Sequence, residues 1–266
     1  MGKAFSWCLV SVAILMAPAA RSEEPEKIRV VLVGDSTMAT RTGYGDALCQ
    51  LFRPNVTCVN LARGGRSSGS FRAEGLWDSM MAMLRDNSSY GATYVLIQFG
   101  HNDQPGKPGR STDLVTEFPV NMARYVDEVK SANAHVVLMT PLTRRMFRNG
   151  VLQNDLKPWA DATRRVAETK RVPLLDLNAD SSAAVAAMGS AEANTFAVEP
   201  PPDKIAQTSQ SIDSAKAEPN GSAPSKFDHT HLGDKGASFF ARMVAREVVQ
   251  AVPSLAAHIR TDNPAK

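Results

Sequence analysis

Five short runs of apolar residues recur along the chain, and each of the first four is followed by a longer segment with helical periodicity. The runs are rich in valine, leucine and isoleucine, which is typical of strands buried on both faces. They are Ile28 to Val33, Val56 to Asn60, Tyr94 to Gln98, Val136 to Met139 and Leu174 to Leu177. The helical segments are Tyr44 to Phe52, Leu76 to Arg85, Phe118 to Ser131, Asp155 to Lys170 and, near the end of the chain, Lys235 to Ala251. This alternation predicts an α/β fold, with one parallel sheet and helices on both of its faces.

Residues 180–226 depart from this alternation. The segment contains three consecutive prolines from Pro200, many alanines and serines, and the sequence Glu-Pro-Asn-Gly from Glu218. Such a composition favours irregular structure. We therefore expect residues 180–226 to form a loop-rich insertion near the rim of a site.

The first 22 residues have the pattern of a secretory signal peptide. Lys3 gives a positive start, Phe5 to Met16 form an apolar core, and Ala17 to Ser22 form a zone of small residues suited to cleavage. The apolar stretch is short for a membrane span. We expect export to the periplasm or the external medium without a stable membrane anchor, and one domain over residues 23–266.

Export would place the remaining cysteines in an oxidising compartment. Cys8 lies inside the predicted signal, which leaves Cys49 and Cys58. An even pair in an exported protein favours a disulfide bond, with two unpaired buried thiols as the alternative.

Charge and composition narrow the function classes. The formal net charge is only +3 and no long basic run occurs, so no nucleic-acid partner is indicated. The apolar fraction of 43% is that of an ordinary globular protein with a buried core. We expect no cofactor.

Ser36 follows the first predicted strand, in the sequence Gly34-Asp35-Ser36. Ligands of open α/β sheets bind outside the carboxyl ends of the strands, and Ser36 lies at such an end. A serine hydroxyl is a weak nucleophile at neutral pH unless a base and oxyanion donors accompany it. Ser36 is therefore a candidate nucleophile whose partners must come from the ends of other elements.

A candidate base lies just before the last predicted helix, between Asp228 and His231. A tight turn would let the Asp228 carboxylate reach Nδ1 of His231, leaving Nε2 free to take the proton of Ser36. His229 is an alternative base, but it directly follows Asp228 in the chain, so its ring is less able to form the same hydrogen bond with the Asp228 carboxylate. The alternative is a solvated loop that caps the helix through Asp234.

The same residues also permit a metal site. His229, His231, Asp228 and His101 could supply imidazole and carboxylate ligands. They lie in predicted loops, however, and no cysteine or His-Glu-x-x-His helix completes a ligand set. We therefore expect no metal.

Oxyanion donors are expected after the second and third strands. Gly65 belongs to a Gly-Gly pair, where a backbone N–H can approach a substrate oxygen closely. Asn102 belongs to Gly100-His101-Asn102-Asp103, where its side-chain amide could donate. Each of these two segments, taken alone, is also typical of an ordinary turn. Their joint occurrence at one predicted sheet edge is what favours a site.

In chain order, the segments Gly34-Asp35-Ser36, Gly65, Gly100-His101-Asn102-Asp103 and Asp228 to His231 resemble the four blocks of the SGNH (GDSL-like) hydrolases. The flanking residues are similar to those of the rhamnogalacturonan acetylesterase branch: Thr37-Met38, Arg66-Ser67, Thr230, Leu232 and Gly236-Ala237. The resemblance spans nearly the whole chain after the predicted signal, except for residues 180–226.

The resemblance implies a flavodoxin-like three-layer α/β/α sandwich with a five-stranded parallel sheet. It makes Ser36 the nucleophile, His231 the general base and Asp228 the partner of His231. It makes the Ser36 N–H, the Gly65 N–H and the Asn102 side chain the oxyanion hole. The implied activity is that of a serine esterase that removes acetyl groups from rhamnogalacturonan through an acyl-enzyme.

An acidic polysaccharide such as rhamnogalacturonan would need cationic partners. Arg66 follows the predicted oxyanion glycine, and Arg144 and Arg145 follow the fourth predicted strand. Guanidinium groups can bind carboxylates bidentately. The alternatives are ordinary surface charges or, for Arg66, a brace for its own loop.

Other functions fit the same residues. Within enzymes, they are a lipase or thioesterase, an acetylesterase acting on another glycan, and an acyltransferase. A non-catalytic carbohydrate-binding protein on the same fold is the alternative from a different class. The sequence has no extended apolar cap that would hold a long acyl tail.

Overall fold

The computed structural model describes residue 2 and residues 26–86, 88–200 and 227–260. The strands are β1 (Ile28–Gly34), β2 (Val56–Asn60), β3 (Ala92–Gln98), β4 (His135–Met139), β5 (Phe147–Arg148), β6 (Val151–Leu152) and β7 (Leu174–Leu175). A parallel five-stranded sheet has the order β2-β1-β3-β4-β7, while β5 and β6 form a small antiparallel pair. The helices are α1 (Gly45–Cys49), α2 (Ser70–Ala73), α3 (Leu76–Arg85), α4 (Phe118–Ser131), α5 (Lys157–Lys170), α6 (Leu177–Asn194), α7 (Asp234–Ala251) and α8 (Pro253–Ala256). The predicted three-layer α/β fold is confirmed.

The central strand β1 shows why the apolar runs are continuous. All seven of its residues are buried. Val30 and Leu32 belong to one core, which they share with residues of α1, α6 and α7. Val31 and Val33 belong to a second core, which they share with residues of α3, α4 and α5. Since side chains alternate between the faces of a strand, a sheet covered on both sides needs apolar residues at every position.

The register of the sheet brings the carboxyl ends of its strands to one edge. Leu32 pairs with Asn60, Gly34 with Gln98, and Gln98 with Met139. The loops that follow β1, β2, β3 and β4 therefore emerge side by side. These loops carry residues that the sequence analysis names as candidates for catalysis.

Helix α6 corrects one expectation. Residues 180–194, predicted as the start of a loop-rich insertion, belong to α6, which is interrupted only at Gly189 (φ +74°). Alanine is the strongest helix former, so a segment rich in alanine is helical once one face is covered. Here Leu177, Ser181 and Val185 recur every four residues and are buried, and α6 packs against α7. The alanine content is compatible with a helix, and packing against α7 decides the conformation.

Two sequence predictions fall outside the described residues. Residues 3–25, which include nearly all of the predicted signal peptide, are not described, and neither are residues 201–226 of the predicted insertion. Among the helices that are described, none has the length and apolar character needed to span a membrane.

The first predicted helix is shorter than its pattern indicated. It ends at Cys49, and Phe52 instead forms an isolated antiparallel bridge with Ile259. Cys49 is bonded to Cys58 of β2, with a Cα–Cα distance of 5.4 Å. The predicted disulfide is thereby confirmed, and it ties the short helix to the edge strand of the sheet.

Candidate active site

Ser36 lies in a tight turn at the carboxyl end of β1. The carbonyl of Asp35 accepts the N–H groups of Met38 and Ala39 at 3.2 and 3.0 Å, and the Asp35 carboxylate accepts the Thr37 N–H at 2.9 Å. Ser36 itself is only 7% exposed. The turn fixes the backbone on both sides of the hydroxyl and so limits the positions that the hydroxyl can take.

Asp228 and His231 form a hydrogen-bonded pair, in the contact that the sequence analysis expects. Oδ2 of Asp228 accepts a hydrogen bond from Nδ1 of the His231 ring at 2.8 Å. Oδ1 of Asp228 accepts hydrogen bonds from the backbone N–H groups of Thr230 and His231, both at 2.6 Å. Burial raises the pKa of Asp228, but the hydrogen bonds and charge of His231, with those backbone donors, outweigh burial and lower the pKa to about 2. An ionised Asp228 holds the proton of His231 on Nδ1, which leaves Nε2 as the acceptor.

Thr42 links the serine turn to the histidine loop. Its hydroxyl donates to the Ser36 carbonyl at 2.8 Å, and its carbonyl accepts the Leu232 N–H at 2.9 Å. The hydrogen bonds of the described residues do not include one between the Ser36 hydroxyl and His231. In ligand-free enzymes such bonds are commonly long and tighten when substrate binds.

The predicted oxyanion donors also come together at this edge. Gly65 has φ +77°, a left-handed conformation that favours glycine. Asn102 is 7% exposed and donates one amide hydrogen to the Arg66 carbonyl at 3.0 Å, so one hydrogen is left for a ligand. In the described part of the chain, the N–H groups of Ser36 and Gly65 donate to no protein acceptor.

Asp103 joins the two loops that carry Gly65 and Asn102. Its carboxylate accepts the Ser68 N–H at 3.0 Å, the Ser68 hydroxyl at 2.6 Å and the Thr112 hydroxyl at 2.9 Å. Burial raises the pKa of Asp103 to about 6, against the opposing effect of these hydrogen bonds. Asp103 therefore positions the loops that carry Gly65 and Asn102, a role that the sequence alone does not reveal.

A second pair of buried residues involves Asp35, which precedes Ser36 in the chain. Nδ1 of His101 is 3.2 Å from the Asp35 carboxylate, and both side chains are almost completely buried. Burial lowers the pKa of His101, and the positive charges of Arg144 and Lys107 add to that effect. A neutral His101 therefore donates its Nδ1 proton to Asp35, which connects the residue before Ser36 with the residue before Asn102.

Arg145 is not placed to bind substrate, and this sequence prediction is wrong. Its side chain is fully buried and donates to the carbonyls of Asp228 at 3.0 Å, Thr230 at 3.3 Å and His231 at 2.8 Å. The Arg145 N–H also donates to the His229 carbonyl at 2.8 Å. Arg145 thus holds the backbone of the whole histidine loop.

Arg66 and Arg144 are also bound by protein groups. Arg66 pairs with Glu74 at 2.7 Å and donates to the Gly64 carbonyl, which is the brace that the sequence left open as an alternative. Arg144 is 8% exposed and bonds to Gln104, Asp155 and the Thr230 hydroxyl. Both guanidinium groups therefore stabilise loops at the site, and neither is left free for a carboxylate of the substrate.

The histidines do not gather as metal ligands. His101 is paired with Asp35 and His231 with Asp228, while burial lowers the pKa of His229. Within the described ranges, no group of three His, Cys, Asp or Glu side chains has a geometry that could hold a metal ion. His229 contributes its backbone carbonyl to the loop, as described for Arg145.

Together, a turn that presents a serine, a carboxylate–histidine pair and two backbone donors on a parallel α/β sandwich define a carboxylic ester hydrolase of the SGNH type. The chain belongs to the GDSL-like Lipase/Acylhydrolase family, whose model matches residues 32–238. Rhamnogalacturonan acetylesterase RhgT of Bacillus subtilis (strain 168) is 31% identical over 240 residues, which cover 87% of this chain and 94% of the relative.

Solved structures share the fold. The YXIM protein from Bacillus subtilis has a TM-score of 0.62 and 21% identity, and the match covers 86% of this chain and 58% of that protein's chain. A mutant of Axe2, an acetyl-xylooligosaccharide esterase from Geobacillus, has a TM-score of 0.55 and 17% identity. That match covers 84% of this chain and 94% of the Axe2 chain.

Proposed function

We propose that this protein is an exported serine esterase that removes acetyl groups from an acidic plant polysaccharide, with rhamnogalacturonan as its substrate. The reaction passes through an acyl-enzyme on Ser36. The observation that carries the proposal is the 2.8 Å bond between Asp228 and His231, in a loop that Thr42 ties directly to the Ser36 turn.

In the first step, His231 Nε2 removes the Ser36 proton while Ser36 Oγ attacks the acetyl carbonyl carbon. The negative charge on the carbonyl oxygen is stabilised by the Ser36 and Gly65 N–H groups and by the Asn102 amide. His231 then gives its proton to the departing sugar hydroxyl, which leaves the acetyl group on Ser36. Asp228 stabilises the positive charge that His231 carries between these two events.

In the second step, His231 removes a proton from water, and the resulting hydroxide attacks the acetyl-serine. The same three donors stabilise the second oxyanion. Collapse of this intermediate releases acetate, and the proton on His231 returns to Ser36. The site is thereby restored without any group beyond water.

Two observations support an acetylated polysaccharide as the substrate and export as the setting. The relative with 31% identity, which this chain spans almost completely, is named a rhamnogalacturonan acetylesterase. The signal pattern in residues 1–22 and the bond between Cys49 and Cys58 both suit an oxidising compartment outside the cytoplasm.

The proposal is tested by measuring acetate release from acetylated rhamnogalacturonan, acetylated xylan and 4-nitrophenyl esters of increasing chain length. We expect the highest kcat/KM on the acidic polysaccharide and a steep fall from acetyl to longer acyl esters. A preference for long-chain esters would point instead to a lipase or thioesterase. Failure of an active-serine phosphonate to label Ser36 would favour a non-catalytic carbohydrate-binding protein.

A further inference from the structure

A cavity of about 990 Å³ lies beside the Ser36 turn, next to the edge strand β2. Its walls come from the turn after Ser36, from the loop after β2 and from the region of α3. Gly64 belongs to the wall, and a Cβ placed on Gly64 would lie 3.8 Å from the Ser36 Cβ. The cavity therefore borders the nucleophile, and its volume matches the upper end of the range of about 300–1,000 Å³ for ligand pockets.

Two arginines that the sequence analysis did not select line this cavity. Arg41 and Arg63 are both exposed, and neither guanidinium has a hydrogen bond or an ion pair with another described residue. Arg66, Arg144 and Arg145, in contrast, are bound by protein groups. Two exposed guanidinium groups on one cavity, without a partner among the described residues, favour a ligand with a carboxylate, which each can bind through two N–H donors.

The backbone at Arg41 is held in an unusual conformation. Arg41 has φ +69°, which is uncommon for a residue other than glycine. The next residue, Thr42, is fixed by its bonds to the Ser36 carbonyl and the Leu232 N–H. Residues are kept in such conformations where their surroundings over-determine them, often at functional sites. The bonds that join the catalytic loops therefore also position the Arg41 side chain at the cavity.

The remaining wall of the cavity suits a sugar. Phe71 and Met80 are buried and give it an apolar floor, while Thr40 and Ser79 are exposed and add hydroxyl groups. Sugar rings carry C–H faces as well as hydroxyls, so they can contact both kinds of surface. A long acyl chain would use the floor but would have no partner for the two arginines.

We propose that this cavity binds a uronate residue of the polysaccharide close to the acetyl ester that is cleaved, with Arg41 and Arg63 holding its carboxylate. The inference rests on the proposed function, because it names the feature of the acidic polysaccharide that the esterase recognises. It replaces Arg66, Arg144 and Arg145 with two arginines that are exposed and have no partner in the described ranges of the chain.

The kinetic test compares an acetylated rhamnogalacturonan oligosaccharide with the same molecule after its carboxyl groups have been reduced to alcohols. We expect R41Q and R63Q each to lower kcat/KM about tenfold on the acidic substrate, mainly through KM, and much less on the reduced one. R63K should retain part of the activity on the acidic substrate, since it keeps the charge. R242Q, an exposed change on α7, is the control and should alter neither substrate.

Direct binding separates this inference from the proposed function. The S36A protein, titrated calorimetrically with a deacetylated rhamnogalacturonan oligosaccharide, should bind it, and adding R41Q and R63Q should abolish that binding in a protein with an unchanged circular dichroism spectrum. Equal losses on acidic and reduced substrates, or unchanged binding in the triple variant, would overturn the inference. A wild type that releases no acetate from the acidic polysaccharide would contradict the proposed function. The titration would still show whether the cavity binds a uronate through Arg41 and Arg63.

Discussion

Replacing Arg145 with methionine should destabilise the protein and lower kcat together. The guanidinium makes three hydrogen bonds to the backbone carbonyls of Asp228, Thr230 and His231. Bonds from a charged donor contribute roughly 1.5–3 kcal/mol each, so their sum is at least about 4.5 kcal/mol. Methionine keeps most of the side-chain volume but offers no donor to these carbonyls.

Burial of the charge opposes this stabilisation. It lowers the pKa of Arg145 from 12.5 to about 10, and at about 1.4 kcal/mol for each pKa unit the cost is roughly 3.5 kcal/mol. The hydrogen bonds still outweigh this cost by about 1 kcal/mol at the low end of their range and by about 5.5 kcal/mol at the high end. We therefore expect R145M to lose about 1–5.5 kcal/mol of unfolding free energy.

The assay combines urea unfolding with the hydrolysis of 4-nitrophenyl acetate. Since the same carbonyls fix the backbone of Asp228 and His231, kcat should fall while KM changes little. R165M, an exposed arginine on α5, serves as the matched control. If R145M kept its stability and kcat but raised KM on the polysaccharide, Arg145 would be a substrate ligand and the loop-holding role would be refuted.

Three further outcomes are expected. N102A should lower kcat about a hundredfold to a thousandfold, the usual effect of losing one oxyanion donor, and a fall of less than tenfold would remove Asn102 from the hole. The pKa of Asp228 is lowered from 3.8 to about 2, so its ionised carboxylate contributes about 2 kcal/mol to the free energy of unfolding. This contribution is present above pH 3.8 and is lost as the pH falls towards 2. D228N should therefore show a weaker loss of stability in acid unfolding over that interval. Replacing Cys49 and Cys58 with serine should cost about 2.5 kcal/mol in chemical unfolding, the effect expected for a closed loop with a sequence separation of 9, and an unchanged midpoint would contradict this.

The fold could be predicted from the sequence because its strands are buried on both faces. Runs such as Ile28 to Val33 are continuous, since Val30 and Val31 face two different cores. The need for apolar residues on both faces of the strand is therefore visible in the sequence alone. The composition at the start of α6 does not distinguish a loop from a helix, because alanine and serine are common both in loops and in helices with a lightly covered face. What decided the outcome was the packing of Val185 and its neighbours against α7, which is a tertiary contact.

The residues of the site likewise differ in how far they could be predicted from the sequence. Ser36, Asp228 and His231 could be proposed from sequence because their side chains carry distinctive chemistry at strand and helix ends. The arginines could not be sorted in this way, because Arg145 and Arg63 differ only in their surroundings. Arg145 is enclosed by the carbonyls of a loop that begins more than eighty residues away, whereas Arg63 is exposed on a cavity wall. The pairing of His101 with Asp35 likewise depends on β1 and β3 being neighbours in the sheet.

The central claim is that Ser36 accepts the acetyl group of an acetylated acidic polysaccharide. The most direct measurement is the rate of acetate release from acetylated rhamnogalacturonan by wild type and by S36A, with circular dichroism confirming that both are folded. We predict release by the wild type and a loss of more than about a thousandfold in the variant, because the nucleophile is absent while the rest of the site is intact. Undiminished release by S36A would contradict the account.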